Sequence, residues 1–280
     1  MRTPLCDPTY QSKKWLVYFL MNRLTARGMP WHDETELTPQ ELAAITKSIQ
    51  QFQLGEGSNG KRLLKRGEEH AQATNDPAFA TALALFVKEE QRHSLYLARF
   101  MQIQGIPPLP SHWVDTVFRK LRGLAGLELS LTVLVTAELI AVPYYRALRD
   151  ATHSILLGAI SSKILEDEAA HLQYQASMLS RLAPGRSPFR HRLLGNLHRL
   201  FLLGTIVLVW LEHGKVFHAG NYDFNRFKNE TLHCFREWGF SRRTWISRPA
   251  VVGSAESIPW GEIQGVERRG GRGMLVRRTG

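Results

Sequence analysis

Two Glu-x-x-His pairs, Glu90–His93 and Glu168–His171, each follow a lone glutamate at about the length of a helical hairpin. Glu56 stands 34 residues before Glu90, and Glu138 stands 30 before Glu168. On a helix, residues three apart share a face, so each pair aims a carboxylate and an imidazole in one direction. Four carboxylates and two imidazoles meeting inside a four-helix bundle make the donor set of a carboxylate-bridged di-iron or di-manganese centre. Carboxylate and imidazole donors suit iron or manganese, and the lack of clustered thiolates argues against iron–sulfur chemistry.

With 11 histidines in 280 residues, composition alone would produce about one Glu-x-x-His pair, yet the chain has three, the last being Glu230–His233. Register separates them. No acidic residue stands 30 to 34 positions before Glu230, and the nearest upstream glutamate, Glu212, is only 18 away. Glu230–His233 is therefore expected on an exposed helix face, outside any metal site.

The elements that must position these residues read as helices. Thr38-Pro39-Gln40-Glu41 is a cap, a proline at the first helical position and a capping-box glutamate. That helix is expected to run to about Thr74, weakened by Gly55, Gly57 and Gly60. Asp76-Pro77 repeats the start signal and opens a second helix ending near Gly105. A short helix over His112–Arg122, a third bundle helix over Leu127–Arg149 and a fourth ending before Pro184 follow. A further hairpin is expected over about 190–239. Upstream of Thr38, only Trp15–Leu24 reads as helical.

If the hairpin turns lie near residues 75 and 151, the paired glutamates differ in depth by about four residues, or roughly 6 Å. All four carboxylates then sit at a similar level. Glu138 is the only charge between Leu129 and Val142, and an unpaired buried carboxylate there would cost several kcal/mol. Glu68 and Glu69 rival Glu56 but lie too close to the turn. Pro143 should kink the third helix beside Glu138 and widen access. Tyr145 and Tyr174 follow Glu138 and His171 at helical spacing and should point near the site, as core or as radical carriers. His213 and His218 are read as core-polar or solvent-facing rather than as extra ligands.

Composition bounds the alternatives. The chain has 44% hydrophobic and 22% charged residues and a net charge of +11, ordinary for a globular protein apart from the charge. Cys6 and Cys234 form neither a disulfide framework nor a C-x-x-C motif, so a cytoplasmic setting is expected. The apolar run Trp15–Met21 lacks a cleavage site and is not expected to be a signal peptide. The run Leu200–Leu211 is too short to span a membrane and is read as a buried helix, with a membrane-contacting or hydrophobic-channel element as the alternative. The last forty residues carry eight arginines against three glutamates, which suggests a disordered basic tail with no specific nucleic-acid partner.

From Thr38 to Leu182 the chain resembles the ferritin-like superfamily of di-iron carboxylate proteins, through Glu56, Glu90-Gln-Arg-His93, Glu138 and Asp167-Glu168-Ala-Ala-His171. It is similar to an uncharacterised bacterial ferritin-like family. Its ligand motifs are similar to those of soluble methane monooxygenase and the ribonucleotide reductase small subunit. No C-x-x-C pair supports a rubredoxin domain. The resemblance implies an all-α, ferritin-like four-helix bundle over 38–185, with an N-terminal arm (1–37), an additional C-terminal helical hairpin (186–240) and the basic tail (241–280).

It also implies two iron ions, or manganese. His93 and His171 would each bind one, Glu56 would be terminal, and either Glu90 and Glu168 or Glu138 and Glu168 would bridge. Asp167 would orient His93, with Arg92 balancing its charge. The activity implied is that of an O2-dependent oxidase or oxygenase acting on a small, apolar organic substrate. A ferredoxin-like donor and a homodimer fit the same picture. The alternatives are a metal-binding, iron-oxidising protein without an organic substrate, and a helical adaptor using the basic tail.

Overall fold

The computed structural model describes residues 8–24, 28–32, 36–124, 126–182 and 187–237, and all regular structure among them is helical. The helices are α1 (Pro8–Leu24), α2 (Pro39–Glu56), α3 (Lys61–Thr74), α4 (Pro77–Ile103), α5 (Trp113–Leu124), α6 (Leu127–Asp150), α7 (Ile155–Leu182), α8 (Pro188–Ala219) and α9 (Phe224–Glu237). The expected basic tail lies outside the described residues.

The start signals act as capping chemistry predicts. The Thr38 hydroxyl accepts from the Glu41 amide, and the Glu41 carboxylate accepts from the Thr38 amide, closing a capping box. Asp76 caps α4 through the Phe79 amide and also ties three helices together. Its Oδ2 accepts from Ser12 of α1 and from Arg181 of α7, both at 2.7 Å.

The helix expected over Thr38–Thr74 is instead two, α2 and α3, and Glu56 is the last residue of α2. Gly60 supplies the break with a left-handed φ of 60°, and a Cβ there would lie 2.9 Å from Val87 on α4. Steric closeness to α4, together with the glycine's backbone freedom, outweighs helical continuity. Ser94 of α4 then stitches the end of α2 in place, donating to the Gln53 carbonyl at 2.9 Å.

α4, α6 and α7 form the centre of the helical bundle, with α2 and α3 packed on α4 and α6 packed most extensively on α7. α6 continues through Pro143. α8 lies on α6 and α2, and α9 on α6. Gly220, between α8 and α9, lets this hairpin touch α6, because a Cβ there would lie 2.3 Å from the Ala147 carbonyl oxygen. α1 is longer than the expected Trp15–Leu24 segment and is docked on α4, burying Trp15 and Phe19.

Among the described residues two helices, α6 and α8, are long and apolar enough to cross a membrane. In α6 78% of the apolar window is inside the protein, which marks a core helix, against 28% in α8. The buried-helix reading of Leu200–Leu211 is thus corrected. Leu202, Ile206 and Val209 face the core, whereas Leu200, Val207 and Leu211 are exposed. The run is uncharged throughout, and hydropathy cannot show that only one of its faces meets a partner helix.

Candidate metal centre

Glu56 reaches the centre from the end of α2, Glu90 and His93 from α4, Glu138 from α6, and Glu168 and His171 from α7. Their donor atoms form two groups in which all atoms lie within 4.8 Å of one another. One contains Glu56, Glu90, His93 and Glu168, and the other Glu90, Glu138, Glu168 and His171. Glu90 and Glu168 belong to both. The two imidazole centroids are 5.6 Å apart.

The inner atoms point at one another with little hydrogen bonding. Glu90 Oε1, both Glu168 oxygens, His93 Nδ1 and His171 Nδ1 are buried without a hydrogen-bond partner among the described residues. His171 Nδ1 lies 2.8 Å from Glu90 Oε1 and 3.7 Å from Glu168 Oε2, and His93 Nδ1 lies 3.8 Å from Glu168 Oε1. Buried polar groups are ordinarily satisfied, so five such atoms around one point need an explanation.

The outer nitrogens are fully held. His93 Nε2 lies 3.0 Å from Asp167, and His171 Nε2 lies 3.1 Å from Glu89. Each carboxylate directly precedes the glutamate of one pair and serves the histidine of the other. The Glu89 contact was missed from the sequence, although Glu89 precedes Glu90 as Asp167 precedes Glu168. Arg92 contacts Glu89 at 3.0 Å and Asp167 at 3.4 Å. The Asn22 amide of α1 donates to both carboxylates, at 2.6 and 2.8 Å, and Lys163 donates to Asp167. Nothing in the sequence of α1 signals that contact.

Electrostatics follow from crowding. Burial and the Glu90 charge raise Glu56 to about pKa 8. Burial and the Glu138 charge push Glu168 well above the carboxylate range. Burial disfavours the imidazolium of His171, but Glu90, Glu168 and Glu89 outweigh it and raise its pKa. His93 is raised against the same burial penalty by its Asp167 hydrogen bond and by Glu90. Burial opposes ionisation of Asp167 too, yet its hydrogen bond to His93, with the His93, His171 and Lys163 charges, holds it far below its usual range. The inner cluster therefore collects protons, while Asp167 stays an anion.

Tyr145 donates to Glu56 Oε1 at 2.7 Å, and Gln175 donates to Glu138 at 2.8 Å. Tyr174 sits one ring layer away, against Trp15, Phe19 and Phe86, while Phe86 meets the His171 ring edge-on at 4.8 Å. His213 is a buried polar residue hydrogen-bonded to Ser48, and burial lowers its pKa to about 4. His218 is exposed, as are Glu68 and Glu69. Glu230 contacts Arg146, Tyr222 and Arg226 far from the cluster, and exposed His233 faces Glu237.

On the side away from the histidines' outer nitrogens, Glu56, Glu90 and Glu138 line a cavity of about 630 Å³. Ala137, between buried Thr136 and Glu138, is exposed into it. The buried carboxylate–imidazole cluster is compatible with a metal site. Comparison with protein-family models, with curated proteins and with solved structures finds no match.

Proposed function

We propose that this chain is a ferritin-like di-iron or manganese–iron carboxylate protein that uses dioxygen to oxidise a small organic substrate in the adjoining cavity. The observation that carries this reading is the contrast within each histidine. The Nε2 atoms are fixed by carboxylates, while the Nδ1 atoms, Glu90 Oε1 and both Glu168 oxygens converge on one another, with His171 Nδ1 only 2.8 Å from Glu90 Oε1. That is the arrangement of imidazole ligands whose outer nitrogens are oriented by carboxylates.

Four inner carboxylates would balance two divalent cations, and Glu90 and Glu168, which belong to both donor groups, would help hold both. His93 and Glu56 would complete one position, His171 and Glu138 the other. Two ferrous ions held there would supply electrons for reducing dioxygen. The chain's own contribution is to hold the imidazole tautomers through Asp167 and Glu89, to keep Glu56 oriented through the Tyr145 hydroxyl, and to exclude water on the histidine side behind Trp15 and Phe19. A ferredoxin-like donor would return the electrons.

The test is addition of oxygen to ferrous-loaded protein with excess ferrous iron present. The proposal expects oxygen uptake to stop after about one O2 per pair of bound irons until a reductant is added. Continued uptake with mineralisation of the excess would favour iron handling without an organic substrate.

A further inference from the structure

The cavity beside the carboxylates is graded in polarity. Its walls at depth are hydrocarbon, from Phe86, Val87, Val133, Leu134, Ile140 and Ala141, all buried as residues yet lining open space. At its rim stand Lys61, Arg62 and Lys120, all exposed and none ion-paired with a described residue, with Asp115 and His112 alongside. At its inner end stand Glu56, Glu90 and Glu138.

An anionic group would be drawn to the rim and repelled from the inner end, whereas a hydrocarbon chain gains by lying against the walls. The volume falls in the range of small-molecule sites. At about 30 Å³ per water-sized unit it admits roughly twenty such units. A short polar substrate would leave most of that apolar wall uncovered.

We propose that the cavity binds an amphipathic anion, an unbranched aliphatic chain ending in a carboxylate. The head group lies at Lys61, Arg62 and Lys120, and the chain runs inward past Ala137 to the carboxylate cluster. This names the substrate class of the site proposed above and rests on that reading for its chemistry, though not for binding. The head-out orientation presents methylene groups of the chain, rather than the carboxylate, to the cluster.

The test uses the full metal-loaded chain and displacement of a fluorescent fatty acid by decanoate, hexadecanoate and hexadecan-1-ol, with metal content measured on every sample. Hexadecanoate should bind, and more tightly than decanoate, since each buried methylene is worth up to about fourfold in affinity. Hexadecan-1-ol should bind at least about tenfold more weakly than hexadecanoate. In Lys61→Glu/Arg62→Glu the carboxylate should weaken about tenfold or more, with alcohol binding and metal content unchanged. Ala137→Trp should abolish binding of both, and Ala137→Met should weaken both in a chain that keeps its helical signal.

Absence of hexadecanoate binding, alcohol binding as tight as that of the acid, or indifference to both Ala137 variants would each overturn the proposal. Hexadecanoate binding in a chain that takes up no metal would sink the redox reading and leave the amphiphile pocket standing. Metal uptake without hexadecanoate binding would do the reverse.

Discussion

The two sides of the carboxylate cluster are built differently. Behind the histidines, Asp167, Glu89, Arg92, Lys163 and Asn22 form a closed hydrogen-bonded layer, sealed by α1 with Trp15 and Phe19 buried. In front of Glu56, Glu90 and Glu138 there is open volume, deep enough that Ala137 in mid-helix is exposed. The closed side sets where the imidazoles point, and the open side would, on the proposed function, leave room for a reacting molecule. A purely structural salt-bridge core would have no use for the open side, and a surface acidic patch would have no use for the closed one.

The largest effect should come from removing an inner donor from either side. His171→Ala and Glu138→Ala should each lose metal, retaining less than about half an ion per chain by elemental analysis. Full retention in both would erase the distinction between the inner cluster and its surroundings. On the closed side alone, Asp167→Asn and Glu89→Gln should keep the ligands but weaken metal binding about 10–100-fold in competition with a chelator. The two effects should be similar, since each carboxylate holds one histidine.

The metal-free inner cluster should also respond to pH. In the folded chain Glu56 keeps its proton up to about pH 8, against 4.5 for an ordinary glutamate. The folded state therefore binds more protons than the unfolded state across that window, and stability is lost as pH rises through it. Glu168 and His171 are shifted in the same direction. Thermal denaturation of apo-protein should show Tm falling by about 5 °C or more between pH 5 and pH 8. Added ferrous iron or manganese should remove most of that fall, because metal replaces the protons. A flat apo profile would mean that the carboxylates are not crowded as described.

Asn22→Ala removes two hydrogen bonds to carboxylates on the closed side and should cost about 1–3 kcal/mol in denaturant unfolding. Metal affinity should fall less than in Asp167→Asn, since Asn22 touches no histidine. The smallest effect is expected from His233→Ala, which should leave metal content and Tm unchanged. Its partner Glu237 is at the surface, where such pairs contribute little.

What the sequence made legible was periodic or local. The caps at Thr38 and Asp76, the shared face of each Glu-x-x-His pair and the isolation of Glu138 all follow from short-range chemistry. The six side chains they nominated do meet, and the third pair does not join them. What was illegible depends on how one helix is rotated and set against another. Periodicity places Glu89 one position from Glu90 but says nothing of the His171 nitrogen across the bundle. Asn22 acts only because α1 docks on α4, and the amphipathicity of α1 is weak. The break between α2 and α3 needed knowledge of Val87 opposite Gly60. The half-exposed face of α8 needed knowledge of where its neighbours stop.

The most direct test is anomalous X-ray diffraction at the iron edge from crystals of ferrous-loaded protein. Two peaks per chain are expected, one among Glu56, Glu90, His93 and Glu168 and one among Glu90, Glu138, Glu168 and His171. Both should share the Glu90 and Glu168 carboxylates. A single peak, peaks elsewhere, or none among these six side chains would contradict the proposed dinuclear centre.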